Sequence, residues 1–392
     1  MKYNFDEIID RSKTSCDKLE MLEDLFGRKD LIPLWVADMD FKSPSQIIDA
    51  LRERVEHGVF GYTSPDDAYY NSVINWLRNK HNWNVDKGDI SFLEGVVKGF
   101  SIAIEVFTEI GDNVIIQPPV YHPFRLSTEA LGRKVLNNNL LFEDGKYEMD
   151  FEGLKDIIAN NECKLLILCN PHNPGGVLWP RESLEELAEI CYDNDVLVVS
   201  DEIHADMALY GKKHIPFASV SEKAAQNSIT LMAPSKTFNI AGIISSFYVI
   251  KNKDIRNKYS SFVTKRGFDR GSIFSYLATR VAYDECGDWL DNMLKYVESN
   301  IDFVSEYLEK NIPSIKAILP GASFLIWLDC RGLGLNQKDL VDFFVNDCGL
   351  ALNDGSMFGP GGEGFMRMNV GTPRKNIEMA MSNLKEAVER RF

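Results

Sequence analysis

The feature that most restricts the fold is a series of near-continuous apolar runs, each ending in a polar or Pro-rich break: "DNVIIQPP" (112–119), "CKLLILCN" (163–170), "DVLVVSDE" (195–202), "SITLMAP" (228–234) and "ISSFYVI" (244–250). A strand with one face in water alternates apolar and polar residues. These runs do not alternate, so both of their faces must be covered. The cover lies between them. In "RESLEELAEICYDND" (181–195), Leu184, Leu187, Ala188 and Cys191 recur at three- and four-residue spacing, the stripe of an amphipathic helix. Alternation of such helices with doubly buried strands predicts an α/β layer fold with a mostly parallel sheet. From about residue 285 the pattern changes to a long helical stretch (288–310), strand character in "KAILPGASFLIWLDC" (316–330), a helix (336–347) and a Gly-rich loop, "NDGSMFGPGGEGFMRMNV" (353–370). A second, smaller α+β domain is expected there, joined by the N-terminus, with 46–284 as the large domain and 1–45 plus 285–392 as the small one.

Charge and composition exclude several classes of function. A formal net charge of -15 argues against nucleic acid and anionic membrane as partners, since both need a cationic face. The opening "MKYNFDEIIDRSKTSCDKLE" is too charged for a signal peptide, and no apolar run approaches the roughly 20 residues of a membrane span, so a cytoplasmic location is expected. The seven cysteines are scattered without CxxC spacing, and the six histidines form no HExxH pair. No disulfide framework and no metal site is expected.

Ligands of open α/β sheets bind at the carboxyl ends of the strands, so the residues that follow each run carry the functional information. After "KLLILC" comes "NPHNPGG" (170–176), a loop presenting Asn170 and Asn173, or simply a tight turn. After "VLVVS" comes "DEIHAD" (201–206), where Asp201 needs a cationic partner unless it only caps a helix. After "SITLMA" come Pro234, Ser235 and Lys236. A lysine ending a buried strand either snorkels to water or is held as an amine for chemistry. Gly95 precedes an amphipathic stretch whose first amides would suit a phosphate, or mark an ordinary helix entry. Tyr121, in "QPPVYHPF" (117–124), stacks on a ligand or packs. A phosphate anchor, an aromatic face, an asparagine, a carboxylate and a lysine at one sheet edge form the set that pyridoxal phosphate needs.

The motifs "FDEIIDR" (5–11), "LWVADMDF" (34–41), "GYTSP" (61–65), "GVVKGF" (95–100), "PPVYHPF" (118–124), "CNPHNPGG" (169–176), "SDEIHAD" (200–206), "SKTFNIAG" (235–242) and "MRMNVGTPR" (366–374) run in order through essentially the whole chain. In them the chain resembles fold-type-I pyridoxal-phosphate enzymes of the class I/II aminotransferase type, and within these the cystathionine β-lyase-like (MalY/PatB) branch. The resemblance implies a large domain with a mostly parallel seven-stranded sheet between helices, plus a smaller α+β domain. It implies that Lys236 forms the Schiff base with pyridoxal 5'-phosphate, that Asp201 pairs with the pyridine nitrogen, and that Asn173 and His204 lie near the phenolic oxygen. Gly95 and the amides of Val96 and Val97 would take the phosphate, with Ser235 as a further ligand, and Tyr121 would stack on the ring. Tyr62 is similar to a tyrosine that reaches the phosphate of the neighbouring subunit, which implies a homodimer with a shared active site. Arg367 matches the arginine that clamps the substrate α-carboxylate, with Asn173 and Tyr121 beside it. Trp35, Asp38 and Met39 are candidates for the wall around the distal part of the substrate.

The implied reaction is β-elimination from an L-amino acid carrying sulfur at Cβ, such as cystathionine, giving a thiol, pyruvate and ammonia. Lys236 acts as general base, and Tyr121 is placed to assist the leaving thiolate. Where aminotransferases commonly have a phosphate-binding serine and arginine around the lysine, this chain has Ala233 and Ile244. An aminotransferase is the alternative on the same scaffold. A regulatory role by protein contact is a third reading, and no sequence feature supports such a partner.

Overall fold

The computed structural model describes residues 3–392. Seven strands form one sheet: β1 (Ile90–Leu93), β2 (Asn113–Ile116), β3 (Lys134–Asn137), β4 (Cys163–Cys169), β5 (Leu197–Asp201), β6 (Ser228–Met232) and β7 (Ser246–Val249). Their spatial order is β1-β7-β6-β5-β4-β2-β3. Neighbours from β6 to β3 are parallel, and only β7 is reversed, pairing antiparallel with both β6 and β1.

The unbroken apolar runs follow from burial on both faces. Leu166, Leu168 and Val198 join one core with Leu184, Leu187 and Cys191 of the helix Arg181–Asp193. Their neighbours Leu165, Ile167 and Val199 point the other way, into a core with Phe100 and Ala103 of the helix Val96–Phe107. A strand whose odd and even residues both meet helices leaves little room for a charged side chain at its centre. The sheet therefore collects its polar chemistry at the carboxyl edge, where β1, β2, β4, β5 and β6 all finish.

A second sheet contains β8 (Lys316–Ile318), β9 (Leu325–Asp329), β10 (Asn353–Asp354) and β11 (Phe365–Asn369), all antiparallel, in the order β8-β9-β11-β10. The long helix Gly287–Asn311 packs beside it through residues such as Leu290, Val297 and Val304. Residues Ile32–Pro33 pair in parallel with Leu350–Ala351, tying the N-terminal segment to this part of the chain. The expected helix at 336–347 is α-helical over Gln337–Asp342 and widens into a π turn at Phe343–Asp347. All seven cysteines are buried and free. Among the described residues no helix is long and apolar enough to cross a membrane.

Candidate active site

Strand β6 ends at Met232, and Ala233 and Pro234 carry the chain out of the sheet, because a proline cannot continue the ladder. Lys236 follows in the turn. Its Nζ donates to the carbonyl oxygen of Ala37 at 2.6 Å, so the lysine is held from above by the N-terminal segment. Burial lowers its pKa to about 8, with Arg367 adding to the effect and Asp38 and Asp201 opposing it. Such a lysine is an amine at mildly alkaline pH rather than a permanent cation. Trapping Lys236 with a small aldehyde and borohydride is therefore expected to rise with pH and level off above about 8. A rate still climbing at pH 10 would show an ordinary surface lysine.

Asp201 ends β5 one strand away. Its Oδ1 accepts from the Ile203 amide at 3.1 Å, and it forms no salt bridge with a described residue. Burial pushes its pKa up to about 7, countered by that amide, raised further by Glu202 and lowered by Lys236. A carboxyl poised there would ionise fully if a cationic N–H came against it.

Arg367 reaches the same edge from β11. It is buried, yet no described carboxylate pairs with it. Nη1 donates to Asn173 Oδ1 at 3.0 Å, and Nη2 donates to Asn353 Oδ1 at 2.6 Å and to the Trp35 carbonyl at 3.2 Å. Nε has no partner, and the guanidinium carbon lies 5.0 Å from the centre of the Phe358 ring. Burial lowers its pKa to about 10, which leaves it charged at neutral pH. A buried cation bonded only to neutral oxygens is a site that an anion would satisfy.

Tyr121 and His204 lie close enough to these three to feel their charges. Tyr121 is half-buried, its pKa pushed up to about 12 by burial and then Asp201, so it stays protonated. His204 is buried, its Nδ1 has no partner, and burial with Lys236 and Arg367 lowers its pKa to about 3, which makes it a neutral ring. Gly95 has φ +121°, a backbone angle that favours glycine, and it precedes the helix opened by Val96 and Val97. The amides of Val96 and Val97 have no carbonyl within the helix to bond. Ser235 is buried beside the lysine, and Tyr62 is fully exposed.

The profile of the family "Aminotransferase class I and II" matches residues 29–384. The chain belongs to that family. Within the class I and II aminotransferase family, it is 43% identical to cystathionine beta-lyase PatB of Bacillus subtilis over 98% of this chain and 100% of that one. Crystal structures of cystalysin from Treponema denticola (TM-score 0.95, 35% identity, 100% of both chains) and of the PLP-bound C-S lyase from Staphylococcus hominis (TM-score 0.91, 31% identity, 98% of both chains) share its fold.

Several residues singled out in the sequence of this aminotransferase-family chain have partners that only the fold reveals. Asp38 forms ion pairs with Arg11 (2.6 Å) and Lys18 (2.9 Å), in a cluster that Asp40 completes, so it brings no free carboxylate to the site. Met39 lies in the main core, and the Gly95 amide donates to Ser246 Oγ at 2.8 Å. Trp35 approaches Arg367 by its carbonyl, while its indole N–H donates to the Lys18 carbonyl at 3.1 Å. Ile244 is exposed at φ +55°. Sequence reasoning missed Ala37, Asn353 and Phe358, which make their contacts through a backbone oxygen, a side-chain amide and a ring face; Ala37 sits within "LWVADMDF", but a backbone oxygen leaves no trace in residue type.

Glu202, next to Asp201, is satisfied internally: its oxygens accept from Ser200 Oγ (2.8 Å) and the Phe217 amide (2.8 Å), and Oε2 lies 2.7 Å from His214 Nε2. Glu202→Ala strands these groups in an apolar interior and is expected to cost about 3 to 5 kcal/mol, read as a lower denaturant midpoint. An unchanged midpoint would contradict that role.

Proposed function

We propose that this chain is a pyridoxal-phosphate-dependent carbon-sulfur β-lyase, cleaving cystathionine or related S-substituted L-cysteines to a thiol, pyruvate and ammonia. The observation that carries the reading is three buried ionisable groups at one sheet edge that lack charged partners. Burial lowers the pKa of Lys236 to about 8, Asp201 is in no salt bridge with a described residue, and Arg367 hydrogen-bonds only neutral oxygens. The orphaned His204 Nδ1 and Arg367 Nε are further unused bonding capacity in the same place. An amino acid and a phosphorylated pyridine aldehyde together supply what each lacks.

Lys236 would hold the cofactor through its amine, and Asp201 would face the pyridine nitrogen. The amides of Val96 and Val97 with the Ser235 hydroxyl would take the phosphate, Tyr121 would stack on the ring, and Asn173 and His204 would border the phenolic oxygen. When bound, pyridoxal phosphate supplies an electron sink that labilises the α-proton and lets a β-substituent leave. Arg367 takes the substrate α-carboxylate and orients the amino acid, a bidentate task suited to a guanidinium. Lys236 removes the α-proton, for which a pKa of about 8 suits a base working near neutrality. A thiolate is a weak enough base to leave without a strong acid, and protonated Tyr121 is available as a donor.

The choice of elimination over transamination is supported by the C–S lyases among similar proteins and by Ala233 and Ile244, which replace polar residues common in aminotransferases. Incubation with cystathionine alone tests it. Thiol and pyruvate in equal amounts over many turnovers are expected; turnover only when a 2-oxo acid is added, with an amino acid as product, would reject elimination in favour of transamination.

A cytoplasmic homodimer sharing its sites is part of the proposal, as is the division into a large domain (46–284) and a small one (1–45 and 285–392). Val55, Val59, Phe60 and Tyr62 form an exposed, mostly apolar stretch that a second copy would cover.

A further inference from the structure

The SDEIHAD segment carries more acid than the proposed reaction uses. Asp201 borders the site, whereas Asp206 is buried below it, with its carboxylate fully engaged. Oδ1 accepts from Trp76 Nε1 at 2.8 Å and lies 2.8 Å from His81 Nε2; Oδ2 accepts from Thr237 Oγ1 at 3.0 Å. Trp76 and His81 belong to the helix Asp67–His81, and Thr237 is the residue after Lys236. Thr237 is fully buried, and this is the side-chain bond that its hydroxyl makes.

The lysine loop is tied down at a second point. Asn239 accepts from the Met39 amide at 3.0 Å and donates to the Met39 and Phe41 carbonyls at 2.9 and 2.8 Å. That tie reaches the N-terminal segment, whose Ala37 oxygen also meets Lys236. The tie at Thr237 is different in kind. It runs through a charged acceptor to the helix Asp67–His81, which packs against the helix Ile273–Glu285, and it holds the residue adjacent to the lysine. A hydroxyl buried without an acceptor is costly, so the carboxylate selects one Thr237 rotamer and with it one course for the backbone.

We infer that Asp206 is a positioning residue for Lys236: through Thr237 it anchors the lysine-bearing turn to Trp76 and His81, and so aims the amine at its reaction partner. The inference rests on the reading of Lys236 as the cofactor lysine. Displacements of about an ångström at a reacting group cost up to a hundredfold in rate, and a single lost anchor falls within that range.

The test uses the full-length enzyme, stripped of cofactor and reconstituted with pyridoxal phosphate, with Lys236 adduct formation followed by absorbance and by peptide mapping after borohydride. Thr237→Val keeps the shape and removes the hydroxyl; it is expected to slow adduct formation and lower kcat by about tenfold each, with KM within about twofold. Thr237→Ser restores both to within about twofold of the parent. Asp206→Asn weakens the same tie, and Asp206→Asn/Thr237→Val is no worse than the poorer single variant by more than about twofold, because the two act in series. If Asp206→Asn does not fold, the Thr237 pair decides. Adduct formation and kcat in Thr237→Val equal to the parent, failure of Thr237→Ser to restore them, or multiplying effects in the double variant would each overturn the inference. A parent enzyme that forms no adduct at Lys236 would overturn the functional reading itself.

Discussion

Lys236→Ala is expected to lower carbon-sulfur cleavage on the order of a thousandfold or more, since one substitution removes both the covalent hold on the cofactor and the base that takes the α-proton. The structure indicates that this loss is local. The Lys236 side chain makes one hydrogen bond, to the Ala37 carbonyl, and its desolvated amine adds nothing to the core. Thermal unfolding should stay within a few degrees of the parent, and the protein should lose its absorbance at the edge of the visible. The same variant separates catalysis from regulation by protein contact, because a regulatory role would survive it. Residual cleavage within tenfold of the parent would mean that another group performs the chemistry.

The second large effect is at Arg367. Three neutral oxygens from three different segments, Asn173, Asn353 and Trp35, hold the guanidinium in place, and none neutralises it. Its positive charge is thus kept in a buried setting where hydrogen bonds and the Phe358 ring meet it but no described carboxylate neutralises it. Arg367→Ala should lower kcat/KM by roughly a hundred- to a thousandfold, mostly through KM, because it removes the partner of a desolvated carboxylate. Arg367→Lys should recover little: a single ammonium cannot span the same acceptors and still present two parallel donors. In both variants the visible-edge absorbance should persist, since the substrate clamp is separate from the cofactor lysine. A normal KM in Arg367→Ala would remove Arg367 from the substrate site.

The central strands were legible because their burial leaves a plain signature. "CKLLILCN" and "SITLMAP" correspond to Cys163–Cys169 and Ser228–Met232, and the long helix expected at 288–310 is Gly287–Asn311. Edge strand β3, "KVLN", does not stand out, since its ends are exposed and its polar residues break the run. The reversal of β7 was equally hidden, because the same doubly covered environment gives the same composition in either direction. At the site, the lysine, aspartate, asparagine and arginine were readable from their places in motifs. Their partners were not. Lys236 meets Ala37, Arg367 meets Asn173, and Asp206 meets Thr237, each through a contact that only the folded chain brings together. The same holds for Asp38, a candidate wall residue whose carboxylate pairs with Arg11 and Lys18, whose approach depends on the path of the N-terminal segment.

Whether Lys236 and its neighbours form a pyridoxal-phosphate site for β-elimination is decided by one absorbance experiment on the purified, reconstituted protein. A band at the edge of the visible should be present, should change when cystathionine is added without a 2-oxo acid, and should return as the substrate is exhausted, with one pyruvate released for each cystathionine consumed. A protein without such a band, or one whose band is lost with no pyruvate formed, would contradict the account.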